Sequence, residues 1–93
     1  MNDDYNELFV PTFYRSGPPL VKGKGVYVYD AEGKKYLDFG TGIAVNALGH
    51  AHPALVKALT HQGKKLIHTS NLYITPPQIE LAGLLIKNSF GKR

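Results

Sequence analysis

Two short constellations in this chain have residue types that could do chemistry. The first is Gly40-Thr41-Gly42, which follows a strand-like segment and precedes a helix-like one. Glycines there could let a backbone approach a pyrophosphate, as in a dinucleotide site. The pattern fails at its third glycine position, which holds Val45, and no Asp or Glu stands about 20 residues on. The second is His50-Ala51-His52, a possible metal pair. No third ligand accompanies it and no HExxH pattern is present, so the expected role is structural: orienting the loop and capping the helix that Pro53 opens. No metal is expected.

Other reactive groups are placed no better. Lys22-Gly23-Lys24-Gly25 lacks the spacing and the following Ser or Thr of a phosphate loop, and reads as a turn before a hairpin. Ser16, Ser70 and Ser89 lie in polar turn contexts without a nucleophile elbow. No lysine has a setting that obviously depresses its pKa; Lys87 follows an apolar run and is expected to reach solvent. No catalytic residue can therefore be assigned from the residues alone.

The elements that would position a site are legible. Val26-Tyr27-Val28-Tyr29 is β-branched and aromatic, hence a strand, with residues 20–25 leading into it. Asp30-Ala31-Glu32-Gly33 has the residues of a type I turn, and Lys35-Tyr36-Leu37-Asp38-Phe39 returns as the second strand of a hairpin. Pro53 starts a helix whose apolar stripe uses Leu55, Leu59 and Leu66, with Lys64, Lys65 and His68 near its end. Thr75-Pro76-Pro77-Gln78 predicts a second helix start with a capping box. Ile79, Ala82 and Ile86, with Leu81 and Leu85, form its buried stripe, and Asn88, Ser89 and Gly91 end it. Between the hairpin and the first helix runs a stretch that is glycine-containing and apolar. Such a stretch should be buried or should line something.

Composition narrows the class. With 93 residues the chain is one small domain or part of a larger one, able to bury only a thin core. It has no cysteine, which excludes a disulfide scaffold and fits a cytoplasmic protein. Its start, Met1-Asn2-Asp3-Asp4, is acidic and no apolar signal core follows; no run is long enough for a membrane span. The net charge of +4 raises nucleic acid as a partner, but the basic residues are not interleaved with exposed-looking aromatics. A solvated basic helix face is the plainer reading, so neither nucleic acid nor membrane is expected as a partner. The apolar second helix lacks enough structure to bury against, so the fold reads as the N-terminal portion of a larger α/β protein.

Residues 23–39 and the segment 42–53, followed by Leu66-Ile67-His68-Thr69-Ser70-Asn71-Leu72-Tyr73, resemble the class III pyridoxal-phosphate-dependent aminotransferases, on the branch of the acetylornithine aminotransferases. The resemblance runs from about Tyr14 to Arg93. It implies the N-terminal fragment of the type I aminotransferase fold: residues 1–19 as an arm, 20–74 as the N-terminal part of the small domain, and 75–93 as the first helix leading into the large domain. It implies pyridoxal 5'-phosphate as cofactor and a homodimer as the full-length state. The implied reaction moves the terminal amino group of N2-acetylornithine to 2-oxoglutarate, in arginine biosynthesis. The phosphate-binding Ser-Gly-Thr turn and the cofactor-linking lysine of the family lie downstream of Arg93, so this piece alone is expected to be inactive.

Residue by residue, Thr41, Gly42, Ile43 and Ala44 match the family loop that lines the substrate side of the cofactor. Phe13 or Tyr14, with Tyr14 taken here, falls at an arm residue that contacts substrate. Asn71 and Tyr73 match a loop near the active-site mouth and dimer interface. Packing alone is the competing role for each. Ornithine, succinylornithine or 4-aminobutyrate as donor, or a non-enzymatic module binding an anionic partner through its basic helix, are the competing functions.

Overall fold

The computed structural model describes residues 4–89. Gly91 of the expected helix end lies outside them. Contacts divide the chain into two compact units, Met1–Ala58 and Leu59–Arg93.

The first unit begins with a 3-10 turn, Asp4–Leu8. Its side chains tie the arm back on itself: the Tyr5 hydroxyl donates to the Gly17 carbonyl at 2.9 Å and the Asn6 amide to the Arg15 carbonyl at 3.1 Å. The sheet follows, with β1 (Leu20–Lys24), β2 (Tyr27–Asp30) and β3 (Lys35–Leu37) in the antiparallel order β1-β2-β3. The expected two-stranded hairpin is therefore β2 and β3, and its lead-in is a third strand. That third strand gives the hairpin a second set of ladder bonds, which a lone hairpin in water lacks.

Register puts Lys22, Tyr29 and Lys35 in one row across the sheet, since Lys22 pairs with Tyr29 and Tyr29 with Lys35. The Lys22 and Lys35 ammonium groups lie 4.8 Å and 3.8 Å from the ring centroids of Tyr29 and Tyr27, and Lys34 lies 5.3 Å from that of Tyr36. Lysine and aromatic residues are thus interleaved on the sheet, which their spacing in sequence conceals. The ring faces are engaged by the protein's own cations.

The β2–β3 turn is built around Asp30, which is buried at 4% exposure. Gly33 takes φ +86° and donates to the Asp30 carbonyl at 3.0 Å, closing the turn that Asp30 and Gly33 predict. The Asp30 carboxylate accepts from the Glu32 and Lys34 N–H groups and the Tyr36 hydroxyl, each at 2.9 Å. Desolvation pushes this carboxyl up, but the hydrogen bonds from Lys34, Tyr36 and Glu32 and the Lys34 charge outweigh it, leaving the pKa below the ordinary 3.8. The same bond, with desolvation second, raises the Tyr36 hydroxyl. A carboxyl depressed on folding stabilises the fold fully above its unfolded pKa, and that stabilisation disappears as pH falls through the folded value. Asp30→Asn is therefore expected to lower stability at neutral pH and to flatten the loss of stability below about pH 4. Thermal melts of both proteins from pH 7 to pH 3 check this; parallel pH profiles would count against it.

Three helical segments complete the chain: α1 (Thr41–Ala44), a single turn, then α2 (Pro53–Gly63) and α3 (Pro76–Lys87). Pro53 and Pro76 open their helices, as proline at the first position predicts. Helix α2 stops at Gly63, so Leu66, Ile67 and His68 lie beyond it, and Lys64 and Lys65 form the turn that leaves it. Thr75 takes an extended N-cap conformation but makes no side-chain capping bond, so the expected capping box does not form. Asn88 ends α3, its N–H and its side-chain amide both donating to the Leu84 carbonyl, at 3.1 and 2.8 Å.

Among the described residues no apolar side chain is buried. The expected buried stripe of α3 is exposed, with Ile79 at 59% and Leu85 at 59%. Within each unit the secondary structure is held by ladders, turns and polar ties, and its apolar faces stay open. No helix among the described residues is long and apolar enough to cross a membrane.

Candidate functional site

The sequence between β3 and α2 must reverse the chain while returning to the sheet edge. It does so by pairing main chain with main chain. Gly25 N–H donates to the His50 carbonyl at 3.1 Å, and His50 N–H donates to the Gly25 carbonyl at 2.8 Å. Glycines permit that approach. A Cβ on Gly49 would sit 3.0 Å from the Gly25 carbonyl oxygen, and a Cβ on Gly23 would sit 2.5 Å from Cγ of His50. The Lys22-Gly23-Lys24-Gly25 run is thus neither a phosphate loop nor the turn expected of it. It is a strand and bridge whose glycines make room for the His50 segment.

The two histidines have separate structural tasks. His52 Nδ1 accepts from the Ala54 N–H at 3.2 Å, which caps α2 as expected. His50 points elsewhere: its Nε2 lies 2.6 Å from Oδ2 of Asp38, and the two side chains are 21% and 19% exposed. The other carboxylate oxygen of Asp38 accepts the Thr41 N–H at 2.9 Å. That Thr41 bond first, then the His50 contact, hold the Asp38 carboxyl below its ordinary range against the opposing effect of desolvation. Among the described residues no group of three potential ligands forms a metal site.

Segment α1 has an unusual backbone. Thr41, Gly42, Ile43 and Ala44 have φ of +50°, +66°, +61° and +64°, so the turn is left-handed throughout. Each non-glycine residue there costs roughly 1–2 kcal/mol, and a β-branched residue such as Ile43 is a rare occupant. Local bonds hold the turn: Ile43 N–H to the Gly40 carbonyl at 2.9 Å, Asn46 N–H to the Thr41 carbonyl at 2.9 Å, and Ala44 N–H to the Thr41 hydroxyl at 3.1 Å. Strain retained in this way is a reason to look for function there.

Two hollows flank the turn, and Asp38, Asn46 and His50 border both. Thr41 and Ala44 line the first, a cleft of about 260 Å³ with Gly25 and Gly49 at its back. Gly42 lines the second, about 490 Å³, with Lys22 and Val28. Ile43 lines neither and is 95% exposed. Of the two expectations for the apolar stretch, burial or lining, the second is met in part: Thr41, Gly42 and Ala44 line the hollows, while Val45 is 77% and Leu48 64% exposed.

The remaining predicted residues do not line these hollows. Phe13 and Tyr14 line a separate hollow of about 210 Å³ with Asn6 and Pro11. Asn71 and Tyr73 belong to the second unit, where they line another of about 210 Å³ with His68 and Gln78. The loop there is tight. Ser70 takes φ +74°, its N–H donates to His68 Nε2 at 3.2 Å, and its hydroxyl accepts from Leu72 N–H at 3.3 Å. Sequence reasoning missed the Asp38–His50 pair. The available signal was the spacing of Gly23, Gly25 and Gly49, which marks close approach without naming the partner.

The chain matches known proteins across this whole arrangement. The sequence family Aminotransferase class-III matches residues 15–93. An acetylornithine aminotransferase from Caldanaerobacter subterraneus subsp. tengcongensis is 58% identical over 91% of this chain and 22% of its own length. Among solved structures, N-acetylornithine aminotransferase from Stenotrophomonas maltophilia is 43% identical with a TM-score of 0.75, covering 80% of this chain and 20% of that one. The taurine:2-oxoglutarate aminotransferase of Bifidobacterium kashiwanohense, solved in complex with PLP and glutamate, is 27% identical with a TM-score of 0.78, covering 90% of this chain and 19% of that one. The chain thus spans about a fifth of the length of these relatives. The family match covers most of the chain and two of these relatives are 58% and 43% identical to it in sequence, so the chain belongs to the class III aminotransferases.

Proposed function

We propose that this chain forms the N-terminal part of a pyridoxal-phosphate-dependent aminotransferase that moves the terminal amino group of N2-acetylornithine to 2-oxoglutarate, a step of arginine biosynthesis in the cytoplasm. The observation that carries the reading is the 58% identity to an acetylornithine aminotransferase over nearly the whole chain. Full-length protein is expected to act as a homodimer.

The residues present fit one wall of a cofactor site. A planar ring needs a neighbour without bulky side chains, and Thr41 and Ala44 offer small groups to the first hollow while Gly42 leaves the second side open. Bound pyridoxal phosphate supplies the electron sink for a substrate carbanion. The task of this chain's residues is to shape the substrate side and to exclude water, with Ile43 as the exposed apolar surface. Tyr14 from the arm, and Asn71 and Tyr73 at the mouth or subunit interface, would add contacts.

Kinetics of the full-length protein test this. N2-acetylornithine is expected to give the highest kcat/KM among acetylornithine, ornithine, succinylornithine and 4-aminobutyrate, with 2-oxoglutarate as acceptor. Preference for another donor would move the protein to that branch. No transfer from any of them would overturn the enzymatic reading in favour of a binding module.

A further inference from the structure

We propose that Asp38 and His50 are positioning residues that lock the left-handed turn Thr41–Ala44 in the form the substrate meets. The proposal rests on the aminotransferase reading above and adds to it the pair that sets the wall's shape.

The turn needs an external anchor. Three of its four residues carry side chains that disfavour positive φ, so its local bonds must offset several unfavourable conformations at once. Most of those bonds lie within residues 40–46 and would move with the turn. The bond from Thr41 N–H to Oδ1 of Asp38, at 2.9 Å, ties the turn to the end of the sheet through a side chain.

A carboxylate held by one oxygen can still rotate about its Cβ–Cγ bond. His50 removes that freedom by occupying Oδ2 at 2.6 Å. His50 is itself fixed, by both main-chain bonds to Gly25 and by its ring lying over Gly23. Position therefore passes from β1 through the imidazole to the carboxylate and on to the first N–H of the turn. At neutral pH Asp38 is a carboxylate and can accept at both oxygens, and the Thr41 bond first, then the His50 contact, lower its pKa. Asp38 and His50 also border both hollows, so a change in either reaches both faces of the turn.

The test uses the full-length holoenzyme, with His50→Ala compared with His50→Gln, whose side-chain amide nitrogen can reach the position of the imidazole Nε2. In His50→Ala, kcat/KM for the preferred amino donor is expected to fall about tenfold or more, with cofactor absorbance per subunit unchanged. His50→Gln is expected to recover to within about threefold of the parent. Unchanged kcat/KM in His50→Ala would overturn the proposal. So would a loss matched by lost cofactor and left unrescued by glutamine, because that pattern is a folding defect. A parent enzyme without amino transfer would instead overturn the functional reading, and this proposal with it.

Discussion

Replacing Gly49 with alanine is expected to raise the exchange rates of the Gly25 and His50 amides by about 100-fold, equivalent to roughly 3 kcal/mol of local stability. Two costs add. Gly49 sits at φ +82°, where an L side chain costs roughly 1–2 kcal/mol. The new Cβ would also lie 3.0 Å from the Gly25 carbonyl oxygen and 3.1 Å from its Cα and carbonyl carbon. Those atoms are backbone and cannot swing aside. Relief requires the chain to retreat from Gly25, and the two bonds between Gly25 and His50 are what that retreat breaks. Overpacking of this sort typically costs about 1–3 kcal/mol. Gly33→Ala is the control, since Gly33 has a similar φ of +86° but nothing within 4 Å of the added Cβ. It should lose only the conformational part. Hydrogen exchange in the full-length protein distinguishes them; equal effects at the two sites would show that close approach to Gly25 contributes nothing.

That contrast also marks what a sequence can and cannot disclose here. Asp30 and Gly33 announce their turn because a β-turn needs its residues within four positions. Pro53 and Pro76 announce helix starts for an equally local reason. Strand β1 was hidden, because Lys22, Gly23 and Lys24 have neither the alternation nor the β-branching of a strand. Its pairing depends on Tyr27 to Tyr29 opposite. The meaning of Gly23 was hidden too, since the ring that fills its place comes from a residue far along the chain. The apolar spacing of Leu66 and Ile67 extends the expected helix α2 past its true end, since the chain turns at Lys64 and Lys65. Burial is the least legible property. Periodicity identifies which face is apolar, but cover must come from a neighbour, and within either unit Ile79, Leu85 and Val45 find none. The candidate wall itself was found through family resemblance to residues 41–44. Its left-handed backbone and its link to Asp38 and His50 could be seen only in three dimensions.

Gly42→Val should lower kcat/KM for the amino donor by about 100-fold in the full-length enzyme, a loss of the size that follows from misplacing a substrate wall by about 1 Å. Gly42 lies at φ +66°, in the middle of the four left-handed residues. A Cβ there would meet Cβ of Val45 at 3.4 Å and the side-chain amide of Asn46 at 3.6 Å. Those distances can accommodate one methyl-sized atom, but the two further methyl carbons of valine have to enter the same space. Valine also disfavours positive φ more strongly than unbranched residues. Both pressures favour return of the turn to negative φ, which would break the bonds from Ile43 to Gly40 and from Asn46 to Thr41. Gly42→Asn separates the causes, because asparagine tolerates the left-handed region while still adding bulk. If backbone conformation dominates, the asparagine variant should retain at least about tenfold more activity than the valine variant. Equal losses would mean that bulk beside Val45 and Asn46 matters more than handedness. Full activity in both would remove Gly42 from the substrate wall.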